Sequence, residues 1–385
     1  MSVEGLGRDL LGEVKVECLD ELLRALRELD ANSGPSLGFP PLDRLLDVFQ
    51  NPPPTRQQQH YQTQWSVQQE GPAPPPKEKP LPVIEIADAA ACSGKTQLLY
   101  QIILLSLLPV EHKDEPINGK GNAVVLLDLS GRFSVLRLHH LMHNHISSIC
   151  SRSSLTLPEQ EISSLISDSF THLHIFHPQS SSSLLSTLAA LPSFLLSSPS
   201  THFSANRPLG LLAINDLSAF LWQDRLDADE GTGLPASNHA EKANNSLFLE
   251  RYHNLISSLR HVQHLFSCPI VATNWGLAPV SSVAGHAALR PHLPSLWNNF
   301  CTTKVVVVKD RVSKFGPDLS AEEAKREGAQ RWEAVEKSGF SGWINWWGNE
   351  GWREEVREGI RELKGGGGFS FRVTEDGIMV HDEGD

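Results

Sequence analysis

The sequence predicts an α/β fold, a mostly parallel twisted sheet flanked by helices, and three observations carry that expectation. From Pro82 onward, short β-rich runs alternate with helical stretches, the pattern of a parallel sheet whose crossovers are helices. The first run, Val83-Ile84-Glu85-Ile86, passes through a turn of small residues ending Gly94-Lys95-Thr96 into an apolar helix. Two later runs, Val124-Val125-Leu126-Leu127 and Leu211-Leu212-Ala213-Ile214, are wholly apolar and end at a carboxylate or its amide, as buried strands that deliver a polar group to one sheet edge do.

Taken in order, Leu19, Leu22, Leu23, Leu26 and Leu29 recur at helical spacing among charges, so residues 11–30 read as an amphipathic helix. A short helix over 41–49 follows the turn at Ser33-Gly34-Pro35. Residues 51–80 are rich in Pro and Gln, a composition that cannot bury a core, and read as a flexible insert. Strands are expected at 83–87, 123–128, 172–176, 209–215, 270–274 and 304–308, with a hairpin strand near 369–373. Helices are expected over 95–108, 133–148, 181–190 and 246–265. Two polar stretches break the rhythm and read as surface insertions: 227–245, and the charged, Trp-rich 313–364, which ends in the four glycines Gly365 to Gly368.

The expected organisation is therefore a short helical N-terminal segment (1–50), the Pro/Gln insert (51–80), an α/β core (81–312, with the insertion 227–245), a charged Trp-rich insertion (313–368), and a C-terminal strand pair and tail (369–385). A chain of 385 residues accommodates one large α/β core with such attachments.

Composition excludes several classes. No run approaches the ~18 uninterrupted apolar residues of a membrane span, so no membrane partner is expected. The segment beginning Met1-Ser2-Val3-Glu4-Gly5 lacks the features of a secretion signal, and Glu13, Glu17, Asp20 and Glu21 argue against a transit peptide. The five cysteines are far apart and form no Cys-x-x-Cys pair, which fits a reducing, intracellular compartment. With a formal net charge of -12 the chain as a whole repels DNA phosphates, so any nucleic-acid contact must be local or shared with a partner.

The strand, small-residue turn and helix around Ala89-Ala90-Ala91-Cys92-Ser93-Gly94-Lys95-Thr96 have the order a phosphate loop requires. Successive backbone N–H groups and the positive end of the helix dipole face the phosphates, Lys95 reaches the β/γ oxygens, and Thr96 ligates Mg²⁺. The expected cofactors are ATP and Mg²⁺. Ala89 stands where the pattern normally opens with glycine. An acid at an apolar strand end orients the metal and its water, which makes Asp128 and Asp216 the candidates for catalysis and Asp216, with Thr96, the candidate for Mg²⁺.

Beyond this loop, the run Asp128 to Leu138, the stretch Leu211 to Trp222, Ile270-Val271-Ala272-Thr273-Asn274, Trp297 with Thr302-Thr303-Lys304, and Phe371-Arg372-Val373-Thr374-Glu375-Asp376-Gly377 follow one another as in a known family. The chain resembles the RecA-type recombinases, and among them the eukaryotic recombinase paralogues, over about 36–312 and 369–380. Ser36 to Leu46 is similar to that family's segment leading into the ATPase core. The resemblance implies a RecA-like P-loop core and a nuclear protein of homologous-recombination repair of DNA double-strand breaks. It also implies partnership with other recombinase paralogues, and contact with single-stranded or branched DNA through that complex.

Three departures from the active members bear on turnover. Ser130 stands where they carry the glutamate that polarises water, and a hydroxyl does not take a proton at neutral pH. Asn215 occupies the position of their strand-end acid, displacing the carboxylate to Asp216, which strand alternation would send to the opposite face unless the strand ends early. Trp275 follows Thr273-Asn274 in place of their γ-phosphate-sensing glutamine. The loop 276–291 holds a single base, Arg290. The reading that follows is an ATP-binding, weakly or non-hydrolysing subunit. Its alternatives are a true DNA-stimulated ATPase completed by a base from a partner, and an unrelated P-loop enzyme such as a small-molecule kinase.

Other clusters read as structural. His139 and His143, and His172, His174 and His177, lack the carboxylates of a zinc site and are expected to pack or face solvent. The late tryptophans Trp332, Trp343, Trp346, Trp347 and Trp352 are expected to anchor their segment onto the core, with an interface as the alternative. No Gly-x-Ser-x-Gly elbow supports hydrolase chemistry.

Overall fold

A computed structural model describes residues 36–53, 81–88, 90, 92–113, 115–152, 157–197, 202–231, 238–283, 286–310, 320–336, 338–348 and 351–381. The helix expected over 11–30 and most of the Pro/Gln-rich stretch lie outside the described residues.

The chain begins with α1 (Pro40–Gln50), β1 (Val83–Asp88), α2 (Lys95–Leu107), the small ladder β2 (Glu111–His112) and β3 (Glu115–Pro116), and β4 (Ala123–Asp128). It continues through α3 (Val135–Arg152), α4 (Glu159–Phe170), β5 (Leu173–Phe176), α5 (Ser181–Leu195), β6 (Leu209–Asn215), α6 (Leu221–Gly231) and α7 (Asn238–Phe266). Then come β7 (Ile270–Val283), β8 (His286–Pro291), α8 (Ser295–Phe300), β9 (Thr303–Lys309), α9 (Ala321–Arg326), α10 (Gly328–Glu336), β10 (Phe340–Ile344), α11 (Glu354–Glu362), β11 (Phe369–Val373) and β12 (Ile378–His381).

Ten strands make one sheet in the order β12-β11-β10-β9-β1-β7-β6-β4-β5, with β8 attached to β7. The run from β9 to β5 is parallel, and β10, β11 and β12 extend it antiparallel. This is the mostly parallel, helix-flanked α/β sheet that the alternating pattern predicts. Central strands covered on both faces carry continuous apolar runs, and every residue of β1 and β4 is buried. One face packs under α1 to α4 and α11 through Leu42, Leu99, Leu138, Ile162 and Ile360. The other packs under α5 to α8 through Leu184, Leu221, Leu259 and Trp297. Among the described residues no helix is long and apolar enough to cross a membrane.

Several expectations need correction. The segment 313–364, read as a surface insertion, supplies β10 to the sheet itself, between β9 and β11. Its signal was hidden because Phe340-Ser341-Gly342-Trp343-Ile344 is short, interrupted by glycine and flanked by charge. The same segment also supplies two short helices, α9, which opens on a Ser320–Glu323 capping box, and α10. The described residues of the insertion 227–245 are helical, since α6 runs to Gly231 and α7 begins at Asn238. Strand β7 continues past Asn274 to Val283 and pairs antiparallel with β8, so 276–283 and 286–291 are paired strands where a loop was expected. Helix α4 has no counterpart in the sequence reading.

The late tryptophans divide. Trp352 meets Phe49 edge-on at 4.9 Å and Trp346 at 5.8 Å, fastening α11 and α1 to the core. Trp332 on α10 is 73% exposed. The histidines are structural: His139 stacks on Phe170, His143 meets Glu159 at 2.9 Å, and His172 and His174 both bond Ser204 Oγ.

Burial, with the nearby charges of Arg207 and His174, pushes His172 down to about 4, and burial also lowers His174. In the unfolded chain these imidazoles titrate near the ordinary value of about 6.5. The folded state therefore refuses protons that the unfolded chain accepts, so the contribution is intact above that value and is lost as pH falls towards about 4. Thermal melts between about pH 7 and pH 4 should show a smaller acid-side loss for His172→Asn than for the parent chain; identical acid-side slopes would contradict this origin.

Candidate functional site

At the carboxyl edge of the parallel strands, the turns after β1, β4 and β6 and the middle of β7 enclose a cleft of about 370 Å³ lined by Asp88, Ala90, Cys92, Lys95, Thr96, Ser130, Arg132, Asn215, Asp216, Trp275 and Gly276. Ligands of open α/β sheets bind outside this edge because the strand ends and helix N-termini converge there.

Lys95 and Thr96 are the first two residues of α2, directly after its cap Gly94. Gly94, which caps that helix, has φ +91, and a Cβ there would lie 3.0 Å from Phe340 Cδ1 and 3.2 Å from Phe371 Cζ. Glycine is thus required twice, by the left-handed conformation and by the strands β10 and β11 that prop the turn from behind. Cys92 also has positive φ, at 60. Of the residues expected to hold ATP, Ala90, Cys92, Lys95 and Thr96 line the cleft, while Ser93 is buried behind it. Ala89 and Ala91 lie outside the described residues.

Lys95 Nζ bonds Asp88 Oδ2 at 2.6 Å, and its ammonium sits 5.9 Å from the centre of the Trp275 ring. Ser93 Oγ donates to the same carboxylate oxygen. Asp88 escaped the sequence reading although the signal was present, because it is an acid closing an apolar strand, the feature that singled out Asp128 and Asp216.

Asp128 is not in the cleft lining. Its carboxylate is buried and accepts from Asn215 Nδ2 at 2.8 Å, Ser130 Oγ at 3.1 Å and the Phe133 amide at 2.9 Å, with His177 Nδ1 at 3.6 Å. These bonds tie β4 to β6 and shape the turn into α3. Asn215 also accepts from Thr273 Oγ1 at 3.1 Å, extending the chain of bonds to β7.

Asp216 does reach the cleft. Strand β6 ends at Asn215, and Asp216 takes a left-handed φ of 63, which turns its side chain back to the side that strict alternation would deny it. Thr273 Oγ1 receives its backbone N–H at 2.8 Å and Ser218 Oγ donates to Oδ1 at 3.1 Å. Burial raises the Asp216 carboxyl above its usual range, opposed by Ser218 and by the positive Lys95 and Arg132 and reinforced by Asp88. Among candidate metal ligands, Thr96 and Asp216 share the cleft.

Beneath Trp275 lies a second polar cluster that the sequence reading did not identify. Asn274 Nδ2 donates to Glu85 Oε1 at 2.7 Å, Cys301 Sγ lies 3.8 Å from Oε2, and the nearby charge of Lys304 acts on Glu85. Burial nevertheless raises Glu85 above the ordinary carboxylate range. Lys304 Nζ bonds the carbonyls of Trp347 at 3.0 Å and Gly348 at 3.4 Å. Asn345 donates to Leu289 O at 2.9 Å and accepts from the Leu289 amide at 3.2 Å, which pins the hairpin to the segment after β10.

No family model matches the chain. It is 26% identical over 263 residues to the DNA repair protein XRCC2 homolog of Arabidopsis thaliana, across 59% of this chain and 68% of the plant protein. It is 30% identical over 145 residues to the DNA repair protein XRCC2 of Mus musculus, across 38% of this chain and 43% of the mouse protein. The matched region thus spans less than half of the mouse relative.

Proposed function

We propose that this chain, similar to the XRCC2 proteins of a plant and a mammal, is a RecA-type recombinase paralogue of homologous-recombination DNA repair. It binds ATP and hydrolyses it weakly or not at all. It works in the nucleus beside other recombinase paralogues, assisting a recombinase filament, and meets single-stranded or branched DNA through that complex. The observation that carries the weak-turnover half is the engagement of Asp128 by Asn215, Ser130 and the Phe133 amide, which leaves that carboxylate as a structural brace.

The cleft suits a nucleotide polyphosphate. The Gly94 turn and the first residues of α2 would hold the phosphates, Lys95 would pair with them, and Thr96 and Asp216 would hold Mg²⁺. The metal supplies charge neutralisation at the phosphate oxygens. Asp216, in the cleft on its left-handed turn, favours the second reading, a DNA-stimulated ATPase completed by a base from a partner.

Isothermal titration of the chain with its paralogue partner should show ATP binding that Lys95→Ala weakens by about a hundredfold, because the change removes the phosphates' cation and leaves the Asp88 carboxylate facing them uncompensated. Equal affinity in both proteins would defeat the nucleotide reading. Brisk ATP turnover that is stimulated by single-stranded DNA and lost in Asp216→Asn would replace the weak-turnover reading with the second one.

A further inference from the structure

We infer that Asp88 is a built-in competitor for the phosphate-loop lysine, so that nucleotide loading requires the Asp88–Lys95 pair to part. This deepens the nucleotide reading and rests on it.

The geometry is specific. Asp88 is the last residue of β1, immediately before the turn, and its side chain is 4% exposed. Its Oδ2 takes a 2.6 Å bond from Lys95 Nζ and a second from Ser93 Oγ, so two donors of the phosphate turn converge on one carboxylate oxygen. That is the arrangement the turn would offer a phosphate oxygen, supplied here by the chain itself. Lys95, only 13% exposed, is enclosed between this anion and the Trp275 ring.

Two consequences follow from the charges. A polyphosphate reaching Lys95 must replace a charge-assisted bond already made, so the lysine contributes only the difference between two anions. Once separated, the Asp88 carboxylate faces the phosphates as a like charge in a poorly solvated pocket, with Asp216 on the same cleft. Both effects weaken binding, and both disappear when the carboxylate is replaced by a neutral group of similar shape.

The test is isothermal titration of the intact chain in its complex with ATP, ADP and AMP, using the parent, Asp88→Asn, Asp88→Ser and Lys95→Ala. Removing the anion should tighten ATP and ADP by about tenfold or more in both Asp88 variants, while AMP, which lacks the phosphates that Lys95 reaches, changes by less than about threefold. Two variants of different size guard against a local packing artefact. Unchanged or weaker ATP binding in both Asp88 variants, with Lys95→Ala still impaired, would overturn the competitor role and leave the nucleotide reading standing. Equal tightening of all three nucleotides would assign the effect to the turn's shape and also overturn it. Absence of ATP binding from the parent and both Asp88 variants would overturn the nucleotide reading together with the inference.

Discussion

Replacing Lys304 by methionine should destabilise the folded chain by about 3 kcal/mol near neutral pH. Glu85 is buried at the centre of β1, and burial alone pushes its carboxyl above the usual range. The Asn274 amide and the positive charge of Lys304 oppose that push. Methionine fills nearly the volume of the lysine and removes the charge, so Glu85 must either stay ionised without it or take up a proton. With its folded value raised further above the unfolded one, the stability of the variant falls as pH rises from the ordinary carboxylate range through the raised folded value. Urea midpoints at about pH 5 and about pH 8 measure this: the deficit of Lys304→Met relative to the parent should be larger at the higher pH. The double replacement Glu85→Gln/Lys304→Met removes both charges and should recover most of the loss. A single variant as stable as the parent at the higher pH would refute the account.

This cluster also marks what the sequence could carry. The six parallel strands, the turn at Lys95 and the strand-end polar groups were legible because each depends on local pattern, a period of two or an uninterrupted apolar run closed by punctuation. Strand β10 was not, because its place between β9 and β11 depends on partners about thirty residues away on either side. Strand β7 read as ending at Asn274 because its continuation, Gly276-Leu277-Ala278-Pro279, has the residues of a loop, and only pairing with β8 makes it a strand. The hydrogen-bond partners of buried polar groups were beyond reach altogether. Glu85 in a strand of β-branched neighbours reads as an exception, and only the tertiary approach of Asn274 and Lys304 explains it. Asp216 shows the reverse: the sequence exposed the question of its facing, and one positive φ answers it.

Asn215→Asp, which places a second acid beside Asp128 at the end of β6, should cost about 3 kcal/mol at neutral pH. The Asn215 Nδ2 atom that the exchange turns into oxygen lies 2.8 Å from Asp128 Oδ1, and both side chains are buried. Two carboxylate oxygens at that separation cannot both be ionised, so the pair would share a proton whose release is pushed well above the ordinary carboxylate value. The unfolded chain ionises near about 4, so the variant loses stability relative to the parent as pH rises beyond that value. In melting temperature the deficit is roughly 6–12 °C for a domain of this size. The amide at Asn215 and the acid at Asp128 therefore act as one unit: a single carboxylate serves two strand ends, and it resides on β4. The exchanged pair Asp128→Asn/Asn215→Asp keeps one acid facing one amide and should regain most of the lost stability while placing the carboxylate on β6 beside Asp216. Melts of the parent, the single variant and the exchanged pair at about pH 5 and about pH 8 decide the matter. A single variant whose deficit does not grow with pH, or an exchanged pair no more stable than the single variant, would show that Asp128 and Asn215 are not coupled in this way.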